Sequence, residues 1–181
     1  MRAPAGRVRG VPEPPEEPGR PGCGGGTGTI AAVDVTATLA ADVTTDTLFD
    51  VVQDLGTYPS WLDIVPRTEP VPADPGDPGP AWSVDLRGQM GPLRRSKRLR
   101  MVRTRCERPT GVRFERRELD GRAHSPWVLD VRVRDRDGAG SELVMGLHYG
   151  GSLWVPLLDR VLADEIERSR PRLLRMVGDG T

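Results

Sequence analysis

An α+β domain is the fold class this sequence predicts: antiparallel strands in series, two short helices near the start of the ordered chain and one long helix at its end. Three observations carry it. Period-2 apolar alternation recurs in segments divided by turn residues, period-3.6 spacing appears just after the first of them, and a long amphipathic stretch closes the chain. At 181 residues there is room for one domain with a buried core. A composition of 36% hydrophobic and 29% charged residues, with formal net charge zero, points away from wholesale disorder, a membrane-embedded chain and a strongly basic nucleic-acid binder.

Residues 1–29 contain six Pro and eight Gly and no periodic apolar pattern, so they are expected to form a disordered tail. The cluster Gly24, Gly25, Gly26 and Gly28 follows no strand pattern and does not read as a nucleotide loop. Order is expected from Ile30, where Val33, Val35, Ala37 and Leu39 alternate with Asp34, Thr36 and Thr38 in a strand over 30–40. Thr44 or Thr45 then offers a helix cap, and Leu48, Val51, Val52 and Leu55 lie on one helical face before Gly56. Tyr58, Trp61, Leu62 and Val65 repeat that spacing, with Pro59 near the first turn and Pro66 just beyond the end, predicting a second short helix.

The segment 70–80, PVPADPGDPGP, holds five Pro and two Gly and reads as an irregular loop, either a surface connector or the rim of a cavity. Strands follow. Trp82, Val84 and Leu86 alternate with polar residues, Leu99 and Met101 sit in a very basic strand, and Val112 and Phe114 mark the next. The clearest hairpin pairs Trp127, Leu129, Val131 and Val133 with Leu143, Met145, Leu147 and Tyr149 across the turn residues Asp137 to Gly140. A long helix opens after Gly150, Gly151 and Ser152 and carries Leu157, Leu158, Val161, Leu162, Ile166, Leu173, Leu174 and Val177, with a bend expected at Pro171.

Little declares chemistry. Cys23 and Cys106 have neither metal-ligand spacing nor a disulfide framework, and are expected to be reduced thiols of a cytoplasmic protein. No membrane span or secretory signal pattern is present, and no metal or cofactor motif is found. The two histidines, His124 and His148, have no evident partner. Alternation turns His148 outward beside Tyr149 unless a bulge at Gly146 reverses the register.

Charge is unevenly spread. Residues 87–108 hold nine cations and one anion, whereas residues 30–86 hold ten anions and one cation. The two segments nearly cancel, which is expected of pairing across one solvated face. The alternatives are an interaction module in which Arg98 and Arg100 meet a membrane or an acidic partner, and an inward Arg that pairs with a ligand carboxylate. Nucleic acid fits less well, because no aromatic residues interleave with these arginines.

The order strand, two helices, strand series and long last helix resembles the START-like (SRPBCC) superfamily. Within it, Leu48-Phe49-Asp50-Val51-Val52-Gln53-Asp54-Leu55 followed by Tyr58-Pro59-Ser60-Trp61-Leu62 is similar to the helix pair of the polyketide cyclase/dehydrase-like and coenzyme Q-binding branches. The resemblance covers about residues 30–178 and implies a helix-grip fold, a curved antiparallel sheet of about seven strands around the C-terminal helix with a ligand-binding cavity between them. It would turn Trp82, Met101, Phe114, Trp127, Met145 and Tyr149 toward that cavity, with Trp61 from the second helix and Leu158 and Val161 from the last.

Such a lining suits a hydrophobic small molecule, a lipid, polyketide or quinone-like compound, held by a carrier or sensor. The same residues would equally fill a solid core. A polyketide cyclase, aromatase or dehydratase is the enzymatic alternative, with Tyr149, and less directly His148, as the available catalytic groups.

Overall fold

In the computed structural model of the chain, which describes residues 33–90, 93–150 and 155–178, the sheet follows from the alternation. Its strands are β1 (Val33–Ala41), β2 (Arg67–Val71), β3 (Ala81–Met90), β4 (Leu93–Glu107), β5 (Gly111–Arg116), β6 (Trp127–Asp135) and β7 (Ser141–Tyr149). They lie in the order β1-β7-β6-β5-β4-β3-β2, every neighbouring pair antiparallel. The first and second strands are thus the two edges of one open sheet, and the chain crosses from one edge to the other through α1 (Thr45–Val52) and a 3-10 helix (Leu55–Ser60). The last helix, α2 (Val155–Gly178), lies along β1 and reaches α1 and β3. This is the α+β helix-grip architecture that the sequence order implies.

Local chemistry explains the early segment. Thr44 caps α1 by accepting from the Thr47 amide at 3.2 Å, and Asp54 accepts from the Gly56 amide at 2.8 Å to start the 3-10 helix. The second helix is therefore shorter and earlier than expected. Gly56 lies inside it and does not terminate α1, which ends at Val52. Beyond it the backbone turns by i+3 bonds such as Val65 amide to Leu62 carbonyl, 3.0 Å, between the constraints of Pro59 and Pro66. Tyr58, Trp61, Leu62 and Val65 are all buried nonetheless, so the apolar spacing reports burial more faithfully than helix type.

The segment expected as a loop begins as a strand. Arg67–Val71 pairs with β3 although it contains Pro70, which an edge strand tolerates. The remainder is pinned to the sheet's outer face: the Arg100 guanidinium donates to the Pro72 carbonyl at 3.2 Å and to the Asp77 carboxylate at 2.5 Å. The β6–β7 hairpin turns through Asp137, Gly138 and Gly140, all at positive φ. At Gly140 a side chain would meet the Ala41 carbonyl oxygen at 2.3 Å, so this glycine lets the hairpin tip close against the end of β1.

One face of the sheet supplies the core. Leu39 and Ala41, Trp82 and Val84, Leu99 and Met101, Val112 and Phe114, Val131 and Val133, and Leu143 and Met145 are buried in register with Leu48, Phe49 and Val52 of α1 and Leu173 and Val177 of α2. Helix α2 continues through Pro171. Among the described residues no helix is long and apolar enough to cross a membrane.

Candidate functional site: the inner face of the sheet

The middle of the inner face is filled by aromatic rings. Phe114 is fully buried, with the Trp82 ring 5.8 Å and the Tyr58 ring 6.4 Å away in edge-on arrangements, and Trp61 lies 4.8 Å from Tyr58. The Tyr58 hydroxyl donates to the Val52 carbonyl at 3.0 Å, and burial holds its phenol well above the ordinary range. Met101 is buried in the same cluster. Three of the expected ligand contacts, Trp82, Met101 and Phe114, therefore pack against one another.

Toward α2, Trp61 and Met145 border a cavity of about 20 Å³ with Leu39, Leu143, Ser169 and Leu173, room for about one water. Here Trp61 Nε1 is buried without a hydrogen-bond partner. The side chains of Leu158 and Val161 lie outside the described residues.

The other end of the inner face differs. Trp127 and Tyr149 are register partners on β6 and β7, their rings 4.6 Å apart, packed with Val35, Ile64 and Leu147. Trp127 Nε1 is buried and has no hydrogen-bond partner among the described residues. Strand β5 stops at Arg116, opposite Met101, and the last backbone contact is the Arg117 amide on the Arg100 carbonyl at 2.9 Å, while β4 continues back to Leu93, so before Arg100 β4 has no strand partner on this side among the described residues. Across this gap Lys97 Nζ lies 5.8 Å from the centroids of both the Trp127 and the Tyr149 ring.

Arg116 is the second cation at this end. Its side chain is only 7% exposed and is fully engaged, donating to Glu118 at 2.7 Å, to the Ser125 carbonyl at 3.3 Å and to His124 Nδ1 at 3.1 Å. Lys97 has no described carboxylate within ion-pair distance. Partial burial and the neighbouring Arg116 charge push its ammonium pKa down, with Glu118 opposing.

Sequence reasoning did not select Lys97 or Arg116, yet alternation contains both. Lys97 stands two and four residues before Leu99 and Met101, and Arg116 two after Phe114, all on the inward side. Their charge argued for the outer face, and that argument overrode the period.

Both histidines have partners that the sequence did not reveal. His148 keeps the unbulged register, opposite Asp34, and its Nδ1 lies 2.8 Å from Asp34 Oδ1 on the outer face, away from the Tyr149 ring. His124 precedes β6 in a loop, with Nε2 2.8 Å from Asp120 Oδ1. It borders an open groove of about 490 Å³ with Arg116, Glu118 and Asp77. Among the described residues no group of three His, Cys, Asp or Glu side chains is placed to hold a metal.

The basic strand is largely paired. Arg98 makes a two-pronged bond to Asp85, its register partner on β3, at 2.6 and 3.1 Å. Arg100 holds Asp77, Arg105 reaches Asp130 at 3.2 Å, Arg108 bonds Asp50, and Arg103 donates to the Gln53 carbonyl at 3.2 Å. The acidic early segment and the basic strand thus neutralise each other across the outer face and α1.

No family model matches the chain, and no curated protein matches it in sequence. Solved structures match it in fold. A START superfamily protein from Mycobacterium smegmatis superposes with a TM-score of 0.62 at 16% identity, covering 82% of this chain and 99% of that one. The di-domain ARO/CYC StfQ from the steffimycin biosynthetic pathway gives 0.58 at 14% identity, over 82% of this chain and 51% of that one. Ara h 8.0201 gives 0.53 at 16% identity, over 82% and 97%.

Proposed function

We propose that this chain, which has the START-like helix-grip fold, holds a hydrophobic small molecule between the inner face of its sheet and α2, as a carrier or sensor. The observation that carries the reading is the Trp127–Tyr149 end, where the apolar wall continues past the packed aromatics and a buried indole N–H has no acceptor among the described residues. A buried donor left unpaired costs about 1–3 kcal/mol, and a bound molecule with an oxygen at that point would remove the cost. Trp127, Tyr149, Met145 and Trp61 would form the wall, Leu158 and Val161 the opposite side on α2. Trp82, Met101 and Phe114 would be its floor.

Titration of the full chain with 1-aminoanthracene, an uncharged fluorescent probe, tests this. Saturable one-to-one binding with energy transfer from tryptophan is expected, and a weaker signal in Trp127→Leu. A linear, unsaturable rise in fluorescence would remove the proposal.

A second reading rests on the ammonium of Lys97 beside the Tyr149 ring, which puts a cation and a phenol together on an apolar wall. Those groups would assist enolisation of a polyketide chain in a cyclase, aromatase or dehydratase. Incubation with poly-β-keto substrates would give a product distribution that changes in Tyr149→Phe. The same products with and without protein would exclude turnover.

A further inference from the structure

The Trp127–Tyr149 end brings two hydrogen-bond donors to one side of the sheet. Among the described residues Lys97 Nζ stands over both rings without a carboxylate partner, and the buried Trp127 N–H has no acceptor on the same side of the sheet. The other nearby cation is not available: Arg116 already serves Glu118, Ser125 and His124. Lys97 is itself exposed at the rim, so its long side chain lies on apolar rings while its charge remains near water.

From this juxtaposition we infer that the open end of the inner face is a carboxylate site: Lys97 and the Trp127 indole hold the acidic head of an amphiphilic ligand whose apolar body runs along the inner face. The inference rests on the ligand-holding reading above and specifies the ligand class. One free ammonium and one neutral N–H match a monoanion with two acceptor oxygens. A phosphate would call for more uncommitted cations than this end presents.

The test compares cis-parinaric acid with its methyl ester, probes of the same apolar body that differ in the carboxylate, on the full chain at low salt. The acid should bind about tenfold more tightly than the ester, as expected for a charge-assisted hydrogen bond. Lys97→Gln should abolish that preference, and Lys97→Arg should retain most of it. Ester binding with no preference for the acid, or a preference that survives in Lys97→Gln, overturns the carboxylate site and leaves the ligand-holding reading standing. Failure of both probes to bind wild-type protein overturns the two together.

Discussion

The two ends of the sheet's inner face are built from the same residue types to different effect. Around Phe114, rings from β3, β5 and the 3-10 helix meet edge to face, and the one buried phenol, Tyr58, has its acceptor. Around Trp127 and Tyr149 the rings meet one another, but among the described residues the indole N–H lacks an acceptor and Lys97 lacks a carboxylate partner. The first arrangement is complete in itself. The second leaves a buried donor without an acceptor among the described residues, which buried polar groups seldom do.

Substitutions can sharpen that contrast or destroy it. Phe114→Ala, which empties the packed end, should cost about 3–5 kcal/mol of stability in urea unfolding. Trp127→Leu should cost clearly less, since it also removes an unsatisfied donor; equal losses at both positions would mean that the two ends are one solid core. Asp77→Asn should cost about 2 kcal/mol, because it replaces the charged acceptor of the largely buried Arg100 by a neutral one.

That loss carries a pH signature. The hydrogen bond from Arg100 holds the Asp77 carboxyl below its ordinary value. A folded-state pKa lower than the unfolded one stabilises the fold above the unfolded value, near about pH 4, and the contribution disappears as pH falls through the lowered folded value. Unfolding midpoints of wild type and Asp77→Asn should therefore differ fully at about pH 6 and converge below about pH 4. Smallest of all, Tyr149→Phe should change stability by less than about 0.5 kcal/mol, since among the described residues its hydroxyl makes no hydrogen bond.

Much of the fold was legible because period-2 alternation survives wherever one sheet face is buried. Trp127 to Val133 and Leu143 to Tyr149 pair in the expected hairpin, and the unbulged register places His148 outward. What was illegible has local causes. Strand β2 is a five-residue edge containing Pro70, with no alternating burial to betray it. The 3-10 helix shares its apolar spacing with an α-helix, and the side chain of Asp54, not any periodic feature, sets its start.

At the site, alternation identified which residues face inward but not which of them leave space. Trp82 and Phe114 close on each other while Trp127 does not, because β5 ends at Arg116 and removes the neighbour that would have filled the gap. Strand length, a property of the turn that follows, thus decides where core stops and opening begins. Lys97 was hidden by its company: eight arginines between residues 87 and 108 make it look like one more surface charge.

Native mass spectrometry of the full chain purified from its own host, before and after organic extraction, tests the ligand-holding cavity most directly. A cavity that holds a hydrophobic acid predicts a one-to-one adduct of small-molecule mass that extraction removes and that Lys97→Gln carries at lower occupancy. The bare protein mass in both preparations, together with no saturable uptake of 1-aminoanthracene, would contradict it.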